Sequence, residues 1–290
     1  MERKYLFLFL LILGTAFWGI SFPVTKMAVG TVSQSTFLLY RFIAATGVLA
    51  LVLSKQLKKI NRQAIVTGAT LAIPLILGIY FQTLGIKHTS ASQCAFVAGT
   101  CVVIIPLLKV FIYKTSVALN IWAAALLSLA GLLVISVKEN LSVGIGDLYT
   151  IIGAVGFAVY LIKVEKYSMA NDILPTIIPM FATCALIMFF IAITDTTANW
   201  LPAGQGFWIG IAYCALFSTA YMYTVSNLSQ RYIQAEKVAI IYMFEPVFAA
   251  LAAIFMLGEN LSWRLFIGGL LIFVGTLISE VKFKRQEQHG

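Results

Sequence analysis

Glu245 and Pro246 stand side by side well inside Ala239–Met256, AIIYMFEPVFAALAAIFM, an apolar run long enough to cross a bilayer. An ionised carboxylate in hydrocarbon costs several kcal/mol. Proline removes an N–H from the helical ladder and frees a carbonyl one turn earlier. The pair is tolerable only where it faces other protein or water. Three chemistries are open to the acid: coupling to protons, binding a cationic or amino group, or hydrogen-bonding backbone that the proline frees. Pro106 is a second proline inside an apolar run, and both prolines are candidate helix kinks.

Arg41 lies about two helical turns from one end of the second apolar run. Its long side chain can snorkel to the interface or bond a neighbouring helix, or it can bind a substrate carboxylate. Trp18, Tyr80, Tyr160, Tyr221, Tyr223 and Tyr242 are aromatics with a polar handle inside apolar runs, where most aromatics pack or mark the interface. Gln82, Gln93, Ser226 and Asn227 need hydrogen-bond partners at the same depth. A water-filled cavity with aromatic walls satisfies all of these groups together. Lys26 reads as an interfacial anchor, and Lys109, near the end of its run, reads as a snorkelling side chain. Gly206, Gly210, Gly268, Gly269 and Gly275 read as small residues for close helix packing.

The missing motifs narrow the classes. No GxxxxGK followed by Ser or Thr is present, so no ATPase site is built in. The two histidines, His88 and His289, stand far apart in sequence and near no cluster of acids or cysteines. This predicts no metal, no cofactor and no enzyme activity.

The elements that position these residues are membrane helices. The chain is 61% hydrophobic and 11% charged, with a mean hydropathy of +0.95. Soluble domains hold about 45–50% apolar and about 25% charged residues, so this composition defines a polytopic membrane protein. The net charge of +9 sits in short loops between apolar runs, which predicts membrane orientation and not nucleic-acid binding. Cys94, Cys101, Cys184 and Cys214 all lie in apolar runs, with no disulfide framework. The first run lacks a small-residue cleavage site and reads as a retained helix.

Roughly 20 apolar residues cross the hydrocarbon core. That rule predicts ten spans, at 5–25, 35–53, 64–84, 91–112, 118–137, 147–164, 174–193, 207–227, 238–257 and 263–280. With the N-terminus inside, the inner segments hold fifteen Lys and Arg and the outer segments only Lys26, Lys87, Lys138 and Arg264. Both termini are therefore expected in the cytoplasm.

A shift of 144 residues lays Tyr80–Ser136 over Thr224–Glu280 with ten identities in 57 positions, among them Ala95/Ala239, Val103/Val247 and Gly131/Gly275. The hydropathy of the two segments matches better than their identities do. The first two spans of each half align with a shift of about 139, placing Phe17-Trp18-Gly19 over Gly156-Phe157-Ala158. Five spans per half force the second copy to insert upside down, an inverted repeat. Pro106 and Pro246 are not equivalent, since Pro106 falls on Ala250.

Trp18-Gly19 with Phe22 and Lys26, Arg41-Phe42 with Ala44-Ala45, and Thr89-Ser90-Ala91-Ser92-Gln93 carry a resemblance: the chain resembles the drug/metabolite transporter superfamily, specifically its EamA-type ten-helix exporters. Gly146-Asp147, Glu245-Pro246-Val247, and Leu257-Gly258-Glu259 leading into Gly268, Gly269 and Gly275 extend it over nearly the whole chain. The Leu-Gly-Glu turn has no counterpart after the fourth span, where Tyr113-Lys114-Thr115 stands.

What the resemblance implies is an all-α integral membrane fold. Ten helices form two inverted five-helix repeats, 1–138 and 146–283, around a central cavity that opens alternately to either side. The expected function is secondary export of small metabolites, amino acids or related compounds, across a bacterial inner membrane. Its partners are the small-molecule substrate and the lipid bilayer; the driving force is either the substrate gradient alone or exchange for protons, for which Glu245 is the candidate. The alternatives are drug or toxic-cation efflux and, from other classes, a polytopic membrane enzyme or a sensor.

Overall fold

The computed structural model describes residues 2–30, 32–89, 91–136, 144–248, 251 and 263–281. Apolar segments of this length must satisfy their own backbone groups in lipid, and they do so as helices. In chain order these are α1 (Glu2–Val29), α2 (Gln34–Val52), the short α3 (Ser54–Leu57), α4 (Arg62–His88), α5 (Ala91–Gly99), α6 (Cys101–Phe111) and α7 (Leu119–Ser136). The second half holds α8 (Ile145–Ala170), α9 (Leu174–Thr194), α10 (Gln205–Tyr213), a π-helical stretch Cys214–Tyr221, α11 (Met222–Ser229), α12 (Ala235–Tyr242) and α13 (Trp263–Glu280). No strand occurs among the described residues. The second half of the expected ninth span and the Leu257-Gly258-Glu259 turn lie outside them.

Side chains of the loops set the helix starts. Ser33 Oγ accepts from Thr36 N–H at 3.2 Å at the head of α2, and Asn61 Oδ1 accepts from Ala64 N–H at 2.8 Å at the head of α4. Asp147 reaches back from α8 to accept from Gly144 N–H at 2.8 Å. Helices α1, α4 and α8 run to 28, 27 and 26 residues, longer than their apolar runs. Their ladders continue into polar ends such as Arg62-Gln63 and Lys163 to Lys166, which hydropathy alone assigns to loops. Seven helical segments among the described residues are long and apolar enough to cross a membrane, with Leu119–Val134 and Phe266–Glu280 as shorter apolar helices.

Neighbouring spans run antiparallel. A Cβ added at Gly131 would lie 2.6 Å from the Gly268 carbonyl oxygen and 3.0 Å from Ile272 Cγ1, whereas one at Gly275 would meet the Ala124 carbonyl at 3.0 Å and Ser128. The contacts climb α7 as they descend α13. They are also reciprocal: Gly131 and Gly275 are 144 residues apart, and so are Ala124 and Gly268, and Ser128 and Ile272. Such an exchange of contacts is the mark of a two-fold relation, here perpendicular to two antiparallel helices.

The α4–α8 seam is built the same way, with Gly85 against Gly146, and Gly78 against Gly153 and Gly156. A Cβ on Gly156 would stand 2.7 Å from Gly78 N. Small residues let these backbones approach. The packing reading does not extend to Gly206, where an added Cβ meets nothing within 4 Å, and at Gly210 it meets only Val24. It holds for Gly275 in the α7–α13 seam, and the α4–α8 seam adds glycines of its own, where the partner surface is itself backbone.

Helix α1 runs antiparallel to the eighth span, with Val24 at Gly210, Trp18 at Ser218, Gly14 at Met222 and Phe7 at Tyr232. Spans three and six thus pair as spans eight and one do. The end of the bundle near the chain termini is tied by Lys4 and Lys237 to Glu280 and by Asn120 to the Ile278 carbonyl of α13 and the Val281 carbonyl just past it. The far end is tied by Ser35 to Asp195 at 2.5 Å and by Tyr40 to the Trp200 carbonyl at 2.6 Å.

Candidate functional site

The fourth span breaks at Thr100, between α5 and α6, and the ninth breaks at Met243–Phe244, after α12. At each break the ladder tightens to three-residue bonds, Thr100 N–H to Val97 O at 3.1 Å and Phe244 N–H to Ile241 O at 3.1 Å. The two bonds are equivalent on the 144-residue shift. Pro106 lies inside α6, which runs through it from Cys101 to Phe111 without a break. Pro246 sits two residues past its break, at the start of a helical turn at 245–248.

These breaks border a cavity of about 90 Å³, room for several waters at roughly 10–15 Å³ each. Ala95, Ala98, Gly99, Cys101 and Val102 wall it from the fourth span. Ala239, Tyr242, Met243, Glu245 and Pro246 wall it from the ninth. Each of the five stands 144 residues from its counterpart in the other half. Trp18 and Phe22 of α1 likewise face Phe157 and Leu161 of α8, their counterparts on the 139-residue shift. The cavity therefore lies on the axis that exchanges the halves.

Trp18 organises the aromatic wall. Its ring centroid lies 4.8 Å from Tyr242, 5.5 Å from Tyr223 and 6.4 Å from Phe157, all edge-on. Its Nε1–H donates to the Ser218 carbonyl at 2.7 Å. Arg41 also lines the cavity, with Nε donating to Thr219 Oγ1 at 2.7 Å and an Nη2 bond to Ser218 Oγ at 3.1 Å. It is 6% exposed, so it does not snorkel: it bonds a neighbouring helix with a guanidinium bordering the chamber. Ser218 and Thr219 belong to the π-helical stretch Cys214–Tyr221, a rare geometry common at functional sites. Glu245 lines the same space, and no ion pair joins it to Arg41.

The structure thus gathers Trp18, Arg41, Gln82, Tyr223, Tyr242, Glu245 and Pro246 at one cavity. Tyr80, Gln93, Tyr160, Asn227 and Pro106 do not line it. Gln93 donates to Asp147 at 2.8 Å, and Tyr160 donates to Asn227 Oδ1 at 2.6 Å in the packed half below. Ser226 bonds the Tyr242 hydroxyl at 2.5 Å.

Two lysines make bonds that the hydropathy of their spans does not show. Lys26 bonds the Ile86 and Thr89 carbonyls at 2.6 and 2.8 Å, tying α1 to the end of α4. Lys109 is buried, 2.6 Å from Glu165 and also paired with Glu236, so it does not snorkel. Two acids from other helices hold it inside, and hydropathy of its own span carries no sign of them. Ser21, Thr25, Thr83 and Cys101 also line the cavity unannounced. For Cys101 a signal existed, since the 144-residue shift lays it on Glu245.

A bundle of antiparallel membrane helices closing on a largely apolar central cavity that Arg41, Gln82 and Glu245 also line defines a multi-pass membrane protein of transporter type. The chain belongs to the EamA-like transporter family, whose model matches residues 6–137 and again 144–280. Similar proteins include an uncharacterized transporter of Archaeoglobus fulgidus, 25% identical over 91% of this chain and 82% of its own length. The uncharacterized transporters YyaM and YwfM of Bacillus subtilis are 25% and 26% identical, over 94% and 99% of this chain and 93% and 97% of their own. One solved crystal structure shares the fold at 16% identity with a TM-score of 0.77, covering 97% of both chains. The protein is a membrane transporter.

Proposed function

We propose that this transporter is a secondary exporter of amino acids or related small metabolites across a bacterial inner membrane, working by alternating access. Its two halves, 1–138 and 146–283, act as inverted five-helix repeats, and both termini are cytoplasmic. The observation that carries the reading is the cavity walled by equivalent residues of the two halves, with Arg41 and Glu245 both on it. A cation and an acid around one chamber suit a zwitterion, the guanidinium taking the carboxylate and the acid taking the ammonium. Glu245 is also the proton-coupling candidate, because an intramembrane acid beside a cavity can exchange its proton with water. On the positive-inside orientation the chamber reaches from mid-membrane toward the outer face, past Thr25, Thr83 and Ile86.

The aromatic ring around Trp18 favours a second reading, efflux of organic cations held by cation–π contact. Counterflow in proteoliposomes separates the two. Labelled amino acids and organic cations are screened with and without a pH gradient. Amino-acid exchange is the expected result and cation exchange alone supports the second reading. No uptake above empty liposomes contradicts both.

A further inference from the structure

The halves of the molecule are equivalent in sequence but not in packing. On the far side, α4 lines the cavity with Ile79, Gln82, Thr83 and Ile86, of which Ile79, Thr83 and Ile86 are themselves 2–4% exposed. Their counterparts 144 residues on are Tyr223, Ser226, Asn227 and Gln230. Tyr223 reaches the cavity, whereas Ser226, Asn227 and Gln230 are buried against protein at 1% exposure or less. Asn227 Nδ2 and Gln230 Nε2 and Oε1 have no hydrogen-bond partner among the described residues. Orphaned polar atoms on a membrane helix are costly unless another state wets them.

The mouth of this closed half is bridged. Lys109 of α6 pairs with Glu165 of α8 and Glu236 of α12, and Glu165 also accepts from the Ala235 backbone amide. One turn from Glu165, Ser168 donates to the Asn227 carbonyl at 3.2 Å, which sets the bridge beside the buried polar stripe. The far end lacks this bridge in sequence: Lys109 falls on Ala253, and Glu165 falls on Lys26 on the 139-residue shift.

We propose that the second half of the transport path runs along the polar stripe Ser226–Asn227–Gln230, and that Lys109 with Glu165 and Glu236 is the latch that shuts it. In this structure the latch is closed and the cavity extends along α4 in the far half. Exchange of the two packings opens the stripe and breaks the bridge. The proposal rests on the alternating-access reading above.

The test is labelling by a membrane-impermeant maleimide, with Cys94, Cys101, Cys184 and Cys214 replaced by Ala. Gln230→Cys is probed from the termini side and Thr83→Cys from the far side. Replacing the latch by Lys109→Met, Glu165→Gln and Glu236→Gln together leaves no unpaired buried charge. It should raise the labelling rate at position 230 at least tenfold and lower that at position 83. Glu236→Gln alone keeps the Lys109–Glu165 pair and should give a smaller rise of the same sign, serving where the triple variant does not fold. An unchanged rate at position 230 in a folded latch variant overturns the proposal. Counterflow in the same vesicles keeps the two readings apart. Transport with an inert position 230 sinks the latch alone, and a responsive position 230 with no transport of any solute sinks the exporter.

Discussion

Cys101 and Glu245 face one cavity from positions 144 residues apart, so a carboxyl stands on it in one half only and a thiol takes its place in the other. Whatever proton coupling this axis supports is therefore one-sided. Glu245→Gln keeps the shape and the hydrogen bonding and cannot ionise. It should leave gradient-free counterflow within about twofold of wild type and abolish the response to an imposed pH gradient. Survival of that response at full size removes the coupling role.

Arg41 holds Ser218 and Thr219 in the π-helical stretch and borders the cavity. Arg41→Lys keeps the charge and loses the fork that reaches both hydroxyls. Affinity for carboxylate-bearing substrates should fall at least ~10-fold, against little change for the corresponding amines, a difference of about 1.4 kcal/mol or more. Equal losses for both classes in counterflow competition would make the arginine purely structural.

The glycine seams make a stability prediction. Gly131→Val and Gly156→Val drive a side chain into backbone 2.6–2.7 Å away, and overpacking of this kind costs about 1–3 kcal/mol, with backbone clashes at or above the upper end. Gly47, in α2, has nothing within 4 Å of an added Cβ. Gly47→Ala should therefore gain about 0.5–1 kcal/mol through helix propensity. Thermal unfolding in detergent checks all three signs.

Asp195, in the loop after α9, gives a pH signature at the far end. Burial raises its pKa, but hydrogen bonds from Ser35, Thr197 and Ser33 outweigh that and bring it down to about 2. A carboxyl depressed below its unfolded value of about 3.9 contributes stability that is complete above that value and is lost as pH falls through about 2. The stability difference between wild type and Asp195→Asn should be constant above pH ~5 and shrink between roughly pH 4 and 2. A difference that grows on acidification would reverse the assignment.

Much of the architecture was legible because bilayer thickness and backbone satisfaction leave a helical chain few choices. Glu245 and Arg41 announced themselves by the cost of charge in hydrocarbon, and both border the chamber. Thr100 did not, because a helix break without proline leaves no mark in composition, whereas the break at Met243–Phe244 falls in the turn before Pro246, where the missing N–H frees a carbonyl. The repeat shift, once applied, pairs them. Lys109 was misjudged because its own span shows only a lysine near an end, whereas its partners Glu165 and Glu236 come from sequence 56 and 127 residues away. Tyr160 and Asn227 are expected on the cavity, and in this packing the Tyr160 hydroxyl donates to Asn227 Oδ1 away from it, leaving Asn227 Nδ2 unpaired.

The account turns on the chamber being the route of the solute, and filling it is the direct test. Ala98 lines the cavity opposite its counterpart Tyr242 and carries no hydrogen bond that a larger side chain would break. Counterflow by Ala98→Trp should drop at least ~10-fold while the melting temperature and elution profile stay near wild type, with Ala98→Ser close to normal as the control. Full counterflow through a folded Ala98→Trp protein would place the route elsewhere.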